Sequence, residues 1–148
     1  MRNTVLIRDA TTDDEDEWCR LWDGYTTFYE TQLAPEVTAH TWQRIVDPHS
    51  PILCRIAEVE GRACGFSLSV LHEGTWVLTP ICYLEDLFVD PAYRGHGIGR
   101  ELIQDLVDQG KRLGWSRLYW HTRQGNPARR LYDEFVAADD YVRYRLVI

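Results

Sequence analysis

Apolar positions in the first third of the chain recur at helical spacing. Trp18, Leu21, Trp22 and Tyr25 lie three or four residues apart, which predicts one apolar helix face. Thr11 and Thr12 precede an acidic run at 13–17. A Thr cap followed by acids complements the helix dipole, so this run reads as a helix start. Val5, Leu6 and Ile7 predict a short strand ahead of it. A second helix is predicted after Pro35, through Val37, Trp42, Ile45 and Val46, stopping before Pro48. From Pro51 the period changes. Strands are predicted over 52–59 and 63–71 around a Glu60-Gly61 turn, and over 81–89, ended by Asp90-Pro91. Helical spacing returns at Ile98, Leu102, Leu106 and Leu113, with Ile103 and Val107 widening the face and Gly114 closing it. A strand over 115–122, a short helix over 127–135 and a last strand over 141–147 complete the pattern. Asn126 is placed as the cap of that short helix and Pro127 at its first position.

The order β, α, α, β, β, β, α, β, α, β describes a mixed α/β domain with one strand–helix–strand crossover. There is no repeat and no linker, so residues 1–148 read as a single domain. A chain of this length buries an ordinary core without help from a metal or a disulfide. The net charge of −7 argues against a nucleic-acid partner and is compatible with a cationic substrate. The four cysteines form no Cys-x-x-Cys pair and have no zinc-like His spacing, so no metal is expected. Cys54, Cys64 and Cys82 sit in apolar strands and read as buried thiols. With no apolar signal segment and no bilayer-length run, a cytoplasmic location without a membrane partner is expected.

The chemistry concentrates in 83–99, Tyr-Leu-Glu-Asp-Leu-Phe-Val-Asp-Pro-Ala-Tyr-Arg-Gly-His-Gly-Ile-Gly. A strand there leads through a turn into a glycine-rich loop that opens a helix. Such a loop aims backbone N–H groups at an anion, and Arg94 adds a fixed positive charge at its entrance. The strand carries adjacent carboxylates, Glu85 and Asp86. An anion cradle beside a carboxylate pair points to a phosphate-bearing cofactor next to a site of proton transfer. The glycines at 95, 97 and 99 do not have the G-x-G-x-x-G spacing of a dinucleotide fold, and Arg100-Glu101 stands where a P-loop needs Lys-Ser/Thr.

Arg94-Gly95-His96-Gly97-Ile98-Gly99 resembles the pyrophosphate loop of the GNAT superfamily of acetyl-CoA-dependent N-acetyltransferases, Arg/Gln-x-x-Gly-x-Gly/Ala. Tyr-Leu-Glu-Asp-Leu-Phe-Val is especially similar to the spermidine/spermine acetyltransferase branch. Tyr119-Trp120-His121-Thr122, Leu131-Tyr132 and Tyr141-Val142-Arg143-Tyr144 resemble a related branch that acetylates histones, polyamines or other small amines. The resemblance implies an acyl-CoA N-acyltransferase fold: a predominantly antiparallel sheet flanked by helices, with a central splayed strand pair.

It also implies roles. Loop residues Arg94, Gly95, His96, Gly97, Ile98 and Gly99, with Arg100 just inside the helix, would bind the pyrophosphate of acetyl-CoA. Leu87, Phe88 and Val89 would pair with its pantetheine arm through their main chain. Glu85 is the first candidate base for the acceptor amine, because it alternates with Leu87 and Val89 on one strand face. Asp86 is the second, because a bulge would exchange the faces. Substrate orientation without proton transfer stands as the alternative for this pair. Tyr132 is the candidate acid for the thiolate leaving group, with His121 as its rival. Asn126 would take a cofactor contact, but the family pattern sets Asn seven residues before Tyr, whereas Tyr132 follows Asn126 by six. Trp22 and Tyr25 read as core on their periodicity. Tyr29 and Glu30 are the better substrate contacts, and Trp76 would cap the cleft.

The implied activity is acetyl transfer to a primary amine of a small molecule, polyamine- or amino-acid-like, by direct attack in a ternary complex. The alternatives are a protein lysine or N-terminal amine as acceptor, or a silent acetyl-CoA-binding sensor. A homodimer is expected because dimers are common in the family.

Overall fold

The computed structural model describes residues 4–148. Among them, strands β1 (Val5–Asp9), β2 (Ile52–Val59), β3 (Arg62–His72), β4 (Ile81–Val89) and β5 (Arg117–Tyr119) form one sheet in the order β1-β2-β3-β4-β5. The first four are antiparallel to their neighbours; β4 and β5 are parallel, joined by the crossover helix α3 (Ile98–Leu113). Helices α1 (Glu15–Phe28) and α2 (Pro35–Val46) precede β2, and the one-turn helix α4 (Arg129–Tyr132) follows β5.

The start of α1 forms as its sequence predicts. Thr11 and Asp14 make a reciprocal capping box on a short 3-10 turn that runs into the helix. Arg8 donates two 2.8 Å hydrogen bonds to the Asp14 carboxylate, which ties the turn to β1.

The sheet has two buried faces. Trp18, Leu21, Trp22 and Trp42 of α1 and α2 pack on Ile56, Phe66, Leu68 and Phe88. Trp18 is fully buried and stacked on Trp22 with centroids 5.1 Å apart. Removing an indole of that kind costs about 3–5 kcal/mol. On the other face α3 presents Ile98, Leu102, Ile103 and Leu106 to Ala57, Val59, Cys64 and Leu84. Arg55 clamps α3 to β2 with hydrogen bonds of 2.9 and 2.8 Å to Asp105 and a further one of 2.8 Å to Asp9. Cys54, Cys64 and Cys82 are buried free thiols, as their sequence context implies.

Three elements differ from the sequence reading. The strand expected over 115–122 is only three residues long, because β4 and β5 pair no further than Tyr83 and Tyr119 before diverging. The short helix expected over 127–135 is regular only over Arg129–Tyr132, with turns on either side. The strand expected over 141–147 joins no ladder: Tyr141, Val142, Tyr144, Leu146 and Val147 are all strongly exposed. Alternation sets which side chains share a face, but a strand also needs a neighbouring edge to satisfy its N–H and C=O groups. The described chain brings none to this segment.

Candidate active site

The carboxylate pair owes its position to one extra residue in β4. Leu68 of β3 faces Asp86, and the next residue, Ser69, faces Leu84, so Glu85 has no partner. This β-bulge breaks the alternation expected for Glu85 with Leu87 and Val89. Leu84 and Leu87 both pack toward α3, Phe88 packs under α1, and Glu85 and Asp86 both line a cavity on the α1–α2 side. The arrangement that made Asp86 the second candidate base is therefore the one the fold adopts.

That cavity measures about 680 Å³. Its floor is Leu68, Val70, Glu85 and Asp86, and its walls are Trp22, Tyr25 and Tyr29 of α1 with Val37 and Thr41 of α2. Arg44 and Arg123 complete the polar lining. Burial pushes the Asp86 carboxyl up to about 6; the neighbouring Glu85 charge adds to the shift and the Tyr25 hydroxyl opposes it. A carboxyl near 6 holds and releases a proton in the range where general bases work best. Burial, then the Asp86 charge, raises the Tyr25 hydroxyl far above the usual phenol range, which keeps it a neutral donor.

A narrow crevice of about 40 Å³ opens between the diverging β4 and β5. It is lined by Tyr25, Tyr29, Glu85, Leu87, Trp120, His121 and Tyr132, among others. Tyr132 packs edge-on against Trp120, with centroids 5.7 Å apart. Its hydroxyl is raised by burial and by nearby Tyr29, so it stays protonated at neutral pH. His121 shares a 3.2 Å hydrogen bond with the Tyr83 hydroxyl. Glu85, Tyr132 and Tyr29 thus meet in one crevice. Beyond Tyr83 the β4 edge that faces this crevice has no strand partner, which leaves main chain at Leu87 open to an extended ligand, while the Val89 carbonyl is taken by Arg94.

The loop follows directly. Asp90 accepts a 2.9 Å hydrogen bond from the Ala92 N–H and a 2.8 Å bond from Arg20 of α1, which anchors the strand-to-loop turn. Gly95 and Gly97 have φ of +82° and +78°, and a Cβ at either would meet nothing within 4 Å. Both glycines therefore turn bare backbone toward open space at the start of α3, where N–H groups lack helical partners. This concavity fits a diphosphate. Ile98 is buried and anchors the helix start, while His96 is exposed on the loop. Arg94 donates 3.0 Å to the Val89 carbonyl, and its guanidinium lies 5.3 and 5.5 Å from the Phe28 and Phe88 ring centres. Arg100 pairs with Glu134 beyond α4. Asn126 donates to the Thr122 hydroxyl at 2.8 Å and accepts from the Ala128 N–H at 2.9 Å, so it closes a turn ahead of α4, whose cap position is Ala128 and not Asn126 as its sequence position predicts.

Two expected substrate contacts do not reach the site. Glu30 is exposed in a left-handed turn after α1 (φ 52°), and Trp76 projects almost fully into solvent from the β3–β4 connection; neither lines the cavity or the crevice. Conversely, Tyr25 reads as core from its period, yet it lines both spaces because α1 ends over the bulge. Arg44 and Arg123 carry no sequence signal beyond their charge.

The family described as Acetyltransferase (GNAT) family matches residues 15–135. The D-amino-acid N-acetyltransferase HPA3 of Saccharomyces cerevisiae is 30% identical, covering 98% of this chain and 92% of its own. The fold superposes on the ribosomal-protein-alanine N-acetyltransferase of Brucella melitensis biovar Abortus 2308 with a TM-score of 0.80 at 22% identity, covering 98% of this chain and all of that one. It superposes equally well, at 18% identity, on AAC(6')-Iy in complex with the bisubstrate analogue CoA-S-monomethyl-acetylneamine, covering 98% and 99% of the two chains. With its glycine-rich loop before α3, bulged β4 and splayed β4–β5 pair, the chain belongs to the GNAT family of acetyltransferases.

Proposed function

We propose that this acetyltransferase acts on the primary amine of a small molecule, polyamine- or amino-acid-like, by direct attack in a ternary complex. The observation that carries this reading is the junction of two spaces at Glu85: a walled cavity large enough for a small acceptor, and a crevice holding Tyr132. The D-amino-acid N-acetyltransferase relative supports it.

Acetyl-CoA, when bound, supplies an activated thioester whose carbon accepts the amine nitrogen and whose sulfur leaves as thiolate. The loop at 94–99 and the edge of β4 at Leu87, Phe88 and Val89 would hold it. The acceptor arrives as an ammonium and must lose a proton before it can attack. Asp86, near 6, takes that proton directly or through a water, and exposed Glu85 draws the cation to the floor. Tyr132, kept protonated by burial, gives its proton to the departing sulfur. The aromatic walls, Trp22, Tyr25 and Tyr29, hold the ammonium by cation–π attraction and thin the water around the reacting nitrogen.

The test is thiol release from acetyl-CoA against polyamines, amino acids, aminoglycosides and lysine peptides. Release with small amines supports the reading. Release with peptides alone transfers it to a protein acceptor, and tight cofactor binding without release transfers it to a sensor.

A homodimer belongs to the same proposal. The exposed apolar segment at 141–148 and the open outer edge of β5 lie in one chain, so two copies can satisfy both reciprocally. Light scattering on the native chain and on Leu146→Glu tests it: a dimer that the substitution dissociates supports the interface, and a monomeric native chain sinks it.

A further inference from the structure

We infer that Arg44 and Arg123 form a carboxylate-binding pole in the acceptor cavity, so that the acceptor is an aminocarboxylate rather than a polyamine. The inference rests on the small-amine reading and narrows it. Four ionisable side chains of fixed sign line the cavity: Glu85 and Asp86 on one side of the account, Arg44 and Arg123 on the other. The lining is therefore neutral overall, which matches a zwitterion. A polyamine carries several ammonium groups and offers the two arginines no anion.

Neither arginine is used up by the fold. Among the described residues neither is ion-paired, whereas Arg8, Arg20, Arg55 and Arg100 all are. Arg44 makes only long contacts within its own helix, 3.4 Å from Nε to the His40 carbonyl and 3.3 Å from Nη2 to the Thr41 hydroxyl. No side-chain hydrogen bond engages Arg123 among the described residues. Among the described residues no ion pair joins Glu85 or Asp86 to either arginine. Arg44 reaches the cavity from the last turn of α2, beside Ser50 and Ile52, and Arg123 reaches it from the loop after β5. A guanidinium is the side chain whose planar donor fork fits a carboxylate.

The probes are phenylalanine, phenylalaninamide and spermidine. The amide removes the carboxylate charge and keeps the amine and the ring. Its amine is less basic, so intrinsic reactivity at neutral pH favours the amide, and any preference for the acid comes from the protein. The expected result is a kcat/KM for the acid roughly 10- to 100-fold above that for the amide, the range of a charge-assisted hydrogen bond. In Arg44→Gln and Arg123→Gln that ratio falls toward one through a raised KM for the acid. A CoA-dependent rise in melting temperature confirms that the variants fold. Equal use of acid and amide by the native protein, preferred use of spermidine, or an unchanged ratio in both variants overturns the inference. Calorimetric binding of the acid and the amide in the presence of CoA needs no turnover. Selective binding without turnover would sink the small-amine transfer reading and sustain the carboxylate pole. Turnover of both probes with equal binding would do the reverse.

Discussion

Leu84 and Leu87 pack against the same side of the sheet although they stand three residues apart in one strand. In a regular strand, residues three apart point to opposite faces. The unpaired Glu85 supplies the extra residue, so Glu85 and Asp86 both reach the acceptor cavity while the leucines on either side stay in the α3 core. Inserting or deleting one residue here would move the whole end of β4 to the other face.

Asp86 sets an expected pH profile. As a base it must be ionised, so kcat/KM rises with pH through about 6 and levels off above it, as far as Asp86 is concerned. Asp86→Asn removes that limb and lowers kcat/KM roughly 10²- to 10⁴-fold. A profile with the same limb in the variant would assign the proton transfer elsewhere, Glu85 being next.

The same shift makes a stability prediction of opposite sign. Between an ordinary 3.8 and about 6 the folded protein holds a proton that the unfolded chain has released, so stability falls as pH rises through this window. Above it the penalty is complete, on the order of 3 kcal/mol. Asp86→Asn is therefore expected to unfold at a higher temperature than the native chain at pH 7.5, with the difference vanishing near pH 4. Thermal melts at the two pH values check it, and a variant less stable at pH 7.5 contradicts it.

Tyr132→Phe keeps the packing against Trp120 and removes only the hydroxyl. The expected outcome is a fall in kcat of about 10²-fold or more with acetyl-CoA affinity unaltered. A fall in affinity with kcat intact would make Tyr132 a binding residue.

Gly97 can take a methyl group without a clash, but its φ of +78° strains any other residue by about 1–2 kcal/mol. Gly97→Ala is expected to destabilise the fold by that amount and to weaken acetyl-CoA binding besides, because the methyl enters the concavity. Denaturant melts beside cofactor titration separate the two effects; loss of stability alone would mean the cradle lies elsewhere.

Asp105→Ala leaves Arg55, with a side chain only 10% exposed, facing Asp9 alone. Breaking a buried pair so that its charge is left uncompensated costs about 3–5 kcal/mol, and because Asp9 still pairs with Arg55 the expected loss lies below that range. Replacing both partners, Arg55→Met with Asp105→Leu, should recover most of it, measured by the same melts.

Much of this protein was legible in its residues. The aromatic face of α1, the hairpin around Gly61, the strand at 81–89 and the helix from Ile98 to Gly114 all follow from apolar period and from turn residues, which act locally. The 94–99 loop was legible because a glycine's freedom and a helix N-terminus are local properties too. Tertiary structure alone decided the rest. The bulge at Glu85 depends on how β3 pairs with β4, and it brought Asp86 into the cavity beside the acid ranked ahead of it. The segment at 141–148 has a strand's alternation but pairs with no strand edge among the described residues. Arg44 and Arg123 are 79 positions apart, and no pattern along the chain connects them. Glu30 and Trp76 had suitable chemistry in suitable stretches, yet their turns aim them at solvent. Period and propensity act over a few residues, whereas a site is assembled from side chains that meet only after the sheet has chosen its register and the helices have docked.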